Sequence, residues 1–210
     1  MVRGLKALKR RRVTRRQVNA ISEGLRAVAA LRRIAEKQGN DHLLQLANAL
    51  QYSFAIQRDL CVLMTDVMTE RDRWRRNLYA RHLAILLVEF LDKIDTVLGK
   101  EFKSHMEAVA GPHRELLAKY RDIHKGLAGI GKQHSKQLRQ IRNIATAHRD
   151  TDARLQLEAI DNVDELAIIV VAQAVNMWQW LILTFWRGLV QKLFAPQWKE
   201  AKLSLYHVVA

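Results

Sequence analysis

Two-thirds of the way along the chain, Arg142 is followed six residues later by His148, in the run Gln140-Ile141-Arg142-Asn143-Ile144-Ala145-Thr146-Ala147-His148-Arg149-Asp150. An arginine and a histidine within reach of one phosphodiester can cleave RNA without a metal. The imidazole exchanges a proton with the 2′-hydroxyl or the leaving 5′-oxygen, and the guanidinium stabilises the charged phosphorane, leaving a 2′,3′-cyclic phosphate. Histidine suits this role because its ordinary pKa of about 6.5 lets both protonation states exist at neutral pH. Arg149 is a candidate to bind phosphate and Asp150 to orient His148. The same residues also have a plainer reading, in which His148 continues an apolar stripe seven residues after Ile141 and Arg142 makes a surface ion pair.

Other familiar chemistry is missing. The sequence has no HExxH, no cysteine cluster, no Walker loop and no glycine-rich dinucleotide turn, so no cofactor or metal is expected. Glu89, Asp92 and Asp95 are spaced three apart and read as a solvated helix face, and no Glu-x-x-His pair supports a di-iron bundle. The single cysteine, Cys61, lies in the apolar run Leu60-Cys61-Val62-Leu63-Met64 and reads as a buried thiol in a reducing, cytoplasmic setting.

The elements that must position Arg142 and His148 are helical. Two prolines, Pro112 and Pro196, and nine glycines leave long runs of Ala, Leu, Arg, Lys, Gln and Glu, with no alternating β-branched segment. Val18, Ile21, Leu25, Val28, Leu31 and Ile34 mark a first amphipathic helix ending at Gly39, with Asp41 capping the next. The apolar pattern from His42 to Leu98 is too long for one helix, which places a corner in Thr69-Glu70-Arg71-Asp72-Arg73. A short helix from Phe102 to Val109 follows, then one from His113 interrupted at Gly126, Gly129 and Gly131. The next spans Lys132 to Ala147, a polar connection runs from Asp150 to Asp161, and a last helix stops before Pro196. The expectation is an all-α, antiparallel bundle of about five to seven helices. Its divisions are a flexible basic arm over 1–16, a helical domain over 17–195 and a tail over 196–210.

At about 100° per residue, Leu138, Ile141 and Ala145 form one stripe, with Arg142 on one flank and His148 on the other. The two side chains straddle this seam, so a centre needing both forms most easily where the seam meets a second copy across a two-fold axis. Asn143 lies away from it.

The run from Gln140 to Asp150 resembles the signature of the HEPN superfamily, in which an arginine, often followed by a polar residue, precedes a histidine by about four to six positions. The ending Ala147-His148-Arg149-Asp150 is particularly similar to that of abortive-infection members, and the helical layout over roughly residues 40–195 is HEPN-like. The resemblance implies a metal-independent endoribonuclease, a toxin or phage-defence effector, with two motifs meeting at a homodimer cleft. Arg142, Asn143 and His148 would be catalytic, and an antitoxin or defence protein would be a possible partner. A second match, Arg76-Asn77-Leu78-Tyr79-Ala80-Arg81-His82, runs straight into the apolar Leu83-Ala84-Ile85-Leu86-Leu87, whereas His148 precedes a polar segment, which favours the later copy.

A net charge of +14 and a pI near 10.3 point to polyanionic partners, RNA first among them. The densest block includes Lys6, Lys9, Arg10, Arg11, Arg12, Arg15 and Arg16, with no acidic residue before Glu23, and Arg10, Arg11, Arg12, Arg15, Arg16 and Arg149 are the expected RNA contacts. Two other readings stand beside the ribonuclease. One is a non-catalytic helical adaptor that binds RNA through the basic arm. The other is a membrane-associated protein, since Ala167 to Trp186 is uncharged over twenty residues. Gln173, Asn176 and Gln179, with Trp178 and Trp180 at the middle of that segment, fit a buried bundle helix better than a membrane span.

Overall fold

A computed structural model describes residues 2–110, 114–146 and 153–200. They form seven helices and a one-turn segment: α1 (Val2–Gln38), α2 (Asp41–Thr69), α3 (Arg73–Asp92), the single turn α4 (Ile94–Val97), α5 (Lys100–Ala110), α6 (Arg114–Thr146), α7 (Ala153–Asp161) and α8 (Glu165–Glu200). No strand occurs among the described residues, so the all-α class holds.

Local chemistry sets the helix ends. Gly39 adopts φ +61°, a left-handed conformation that costs glycine little. The Asn40 N–H then donates to the Ala35 carbonyl at 3.0 Å and Gly39 N–H to Glu36 at 3.3 Å, satisfying the last carbonyls of α1. Asn40, rather than the neighbouring Asp41, caps α2 by accepting from Leu43 N–H at 3.0 Å. The corner lies where the charged stretch predicts. Asp72 caps α3 through Arg75 N–H at 2.8 Å, and the Glu70 carboxylate accepts from the Arg71 and Asp72 N–H groups at 2.7 and 3.0 Å. Those backbone donors, Asp72 first and then Arg71, hold the Glu70 carboxyl below the usual carboxylate range. Asp164 begins α8 by accepting from Ala167 N–H at 3.0 Å.

Four expectations are corrected. The basic arm is helical from Val2 and continuous with the rest of α1, because Leu, Ala, Lys, Arg and Gln favour helix and Thr14 and Thr65 bond across to α2. α6 runs unbroken through its three glycines. A Cβ on Gly126 would meet the Trp178 ring at 2.2 Å and one on Gly131 would touch Leu91, so packing compensates the poor helix propensity. Much of the supposed polar connection is helix α7, where Ile160 is buried. α8 continues past Pro196 to Glu200, across the expected boundary of the tail.

α1 and α2 form a hairpin, α2 turns back into α3, and α8 packs against α2, α3 and α6. The core is built from Phe54, Leu60, Leu83, Phe90, Met106 and Val175, all nearly inaccessible to solvent. Although α8 is long and apolar enough over Glu165–Leu189 to cross a membrane, Ile168, Ala172, Val175, Gln179 and Ile182 face this core. Its opposite side leaves Leu166, Val170, Met177 and Leu181 exposed.

Candidate functional site

Asn143 begins the last described turn of α6, and Arg142 immediately precedes it. Arg142 is half-buried and Asn143 exposed, and the guanidinium donates to the Asn143 side-chain oxygen at 3.3 Å. Asn143 therefore touches the arginine directly, a contact that the helical wheel did not suggest. His148 and Arg149 lie outside the described residues. Two positions of the stripe expected to form a dimer seam are occupied within the chain. Leu138 is 1% exposed and Ile141 6%, both packed in the central core, so these two positions offer no surface to a second copy.

The earlier Arg-Asn-x4-His run has a structural role. Arg76 pairs with Glu165 at the start of α8, and Asn77, buried, donates from Nδ2 to the Ile160 carbonyl at 2.7 Å. Together they fix α3 to the α7–α8 junction. Arg81 is buried with no hydrogen-bond partner on Nε, and burial lowers its pKa. His82 is exposed on a surface pocket shared with Asp59 and Glu89 but with none of those three residues. The earlier copy thus provides no convergent arginine and histidine.

Topology brings distant cations to one pole of the bundle. Arg10 rests on the Met68 thioether and Arg11 Nε lies 3.4 Å from Thr69 Oγ1, so the start of α1 lies beside the end of α2. The next helix begins at Arg73, which reaches Asp161 at 4.0 Å, and Arg76 and Asn77 hold the α7–α8 junction to the same end. α6 runs antiparallel to α8, because Gly126 abuts Trp178 while Gly188 abuts Leu116. Its C-terminal end therefore points toward the start of α8. Arg12, Arg15 and Arg16 are solvent-exposed on the same segment of α1, and Trp74 is 51% exposed at the corner.

No family model, curated protein or solved structure matches the chain.

Among the described residues no group of three or more histidines, cysteines or acids is arranged to hold a metal. The arrangement instead favours electrostatic engagement of a polyanion, with cations on separate helices able to contact successive phosphates. The tryptophans divide as their surroundings dictate: Trp186 is buried and Trp178 packs on the core, whereas Trp74 stands among arginines. Sequence reasoning assigned the α1 arginines to RNA but missed that Lys6, Lys9 and Arg10 share a face with Thr14 and Gln17 over a groove. Their spacing of three and four carries that information only once the arm is known to be helical.

Proposed function

We propose that this protein is an RNA-binding endoribonuclease of HEPN type, which engages RNA at the basic pole and cleaves it without a metal using Arg142 and His148. The observation that supports the reading is that the α1 cations and the Arg71–Arg76 corner lie at the end of the bundle toward which α6 runs. Cations there hold the phosphate backbone, Arg142 stabilises the phosphorane, Asn143 orients Arg142, and His148 moves the proton. The role of Arg76 and Asn77 in packing leaves the later copy as the one available for chemistry. A homodimer of the kind the resemblance implies would use a surface other than Leu138 and Ile141.

Purified wild-type, Arg142→Ala and His148→Ala proteins incubated with a mixed RNA pool in EDTA test this. Cleavage by wild type alone, leaving 2′,3′-cyclic phosphate ends, is the expected result. Equal cleavage by all three overturns it. The second reading, a non-catalytic RNA-binding helical protein, is favoured by the docking of the basic segment on α2, which needs no catalysis to be useful. RNA binding without cleavage by any of the three proteins is its signature.

A further inference from the structure

A groove of about 490 Å³ runs between α1, α2 and α8. Lys6, Lys9, Arg10, Val13, Thr14 and Gln17 recur every three or four residues and so present one face of α1 along it. Thr65, Met64 and Met68 of α2 form the opposite wall, and Gln173 and Asn176 of α8 close it. Among the described residues no carboxylate lines it. Cations are thus gathered on one side and neutral donor–acceptor groups on the other. Cys61 completes the floor as a neutral thiol: burial pushes its pKa up to about 11, and its Sγ lies 3.7 Å from Asn176 Oδ1.

The two amides are the informative residues. They interrupt the most apolar helix of the chain, where a leucine would pack as well against the methionines. Gln173 is nevertheless exposed and Asn176 half-buried beside the groove. A side-chain amide presents a donor and an acceptor together, the pattern that matches the edge of a nucleobase. Lysine and arginine opposite supply the complement to a phosphate. The volume is in the range that holds a nucleotide-sized ligand.

We propose that this groove is a nucleotide-unit binding site, with phosphate held by Lys6, Lys9 and Arg10 and the base edge read by Gln173 and Asn176. It deepens the reading above and rests on its assignment of nucleic acid to the basic pole, but it does not depend on cleavage. The unit comes either from a free nucleotide or from one residue of a single strand, and the two sources share the same contacts.

The test titrates full-length His148→Ala protein, which cannot remove an RNA probe by the proposed chemistry, with ADP, inorganic pyrophosphate and a fluorescein-labelled five-nucleotide oligoadenylate. Adding Lys9→Gln and Arg10→Gln is expected to weaken nucleotide binding at least tenfold. Arg26→Gln and Lys37→Gln, which remove the same charge from exposed positions in the second half of α1, away from the groove, are expected to weaken it less than threefold. Gln173→Leu, at an exposed position that leaves the fold intact, is expected to weaken ADP or oligoadenylate binding about tenfold without changing pyrophosphate binding. Binding of ADP and oligoadenylate with this pattern identifies a free-nucleotide site, and binding of oligoadenylate alone identifies a strand site. Equal losses from the two charge pairs, an unchanged affinity in Gln173→Leu, or no binding of either nucleotide probe overturns the assignment. Because His148 is already replaced, failure of the cleavage reading leaves this result interpretable.

Discussion

Gly126 reports on how α6 is set against α8, and hence on where Arg142 lies. In an isolated helix, Gly→Ala stabilises by about 1 kcal/mol. At Gly126, however, a Cβ would lie 2.2, 2.3 and 2.6 Å from three atoms of the Trp178 indole, a rigid ring packed on the core. Forcing the ring or helix aside costs up to ~3 kcal/mol, so Gly126→Ala is expected to destabilise by roughly 2 kcal/mol net. For a chain of this size that corresponds to a melting temperature lower by about 4–8 °C. Gly129→Ala is the internal control, since nothing lies within 4 Å of the added Cβ, and it should stabilise by about 0.5–1 kcal/mol. The decisive comparison is made in Trp178→Leu protein, where Gly126→Ala should become neutral or stabilising, a coupling of about 2–3 kcal/mol in a double-mutant cycle. Thermal and urea unfolding of the four proteins measures it. If Gly126→Ala alone stabilises as much as Gly129→Ala, the close approach of α6 to α8 is wrong, and with it the direction in which α6 carries Arg142.

Other substitutions probe separate parts of the structure. Asn77→Ala removes the buried donor to Ile160 O and should destabilise by about 2 kcal/mol in urea unfolding. His82→Ala, at an exposed position, should leave both stability and any RNA cleavage unchanged, and loss of cleavage there would refute the choice of the later motif copy. Gln57 and Gln179 are fully buried with neither amide atom hydrogen-bonded, so Gln57→Leu or Gln179→Leu should raise stability by about 1 kcal/mol. A drop of that size would show that each amide has a partner. Cys61, with its pKa pushed up to about 11 by burial, should resist thiol reagents at pH 8 until the protein unfolds. Fast modification of native protein would refute its burial.

How much of this was legible in the sequence depends on which interactions fix each feature. The corner at Glu70 to Asp72 was readable because capping is local and a carboxylate beside free N–H groups announces it. The continuity of α6 was not, because glycine reads as punctuation until the partner against which it packs is known, and Trp178 lies fifty-two residues away. The burial of Leu138 and Ile141 has the same cause: an apolar stripe declares that it is covered, not whether its cover is α3, α8 or a second chain. Arg142 and Asn143 are candidates by their spacing alone, whereas the structural role of the competing copy is visible only through Glu165 and Ile160, residues more than eighty positions distant.

Tyr120 supplies a pH-dependent test of the packing beneath α4. Its hydroxyl donates to the Leu98 carbonyl at 2.5 Å, with the Gly99 carbonyl at 3.0 Å, and burial followed by the Glu107 charge pushes its pKa up to about 12 from an ordinary 10.0. A pKa raised on folding means that the folded state favours the neutral phenol. The associated stability is therefore fully present below pH 10 and is lost as pH rises from there toward about 12, where the unfolded chain ionises first. Tyr120→Phe removes both the hydrogen bond and the titration. It should be less stable than wild type by about 1 kcal/mol at neutral pH, and the gap should close between pH 10 and about 12. Because lysines and other tyrosines titrate equally in both proteins, the difference between their melting temperatures, rather than either value alone, isolates this hydroxyl. A gap that stays constant across that window would mean that Tyr120 ionises as readily in the folded protein as in the unfolded one, and the turn from Ile94 to Gly99 would then not be held from beneath by α6.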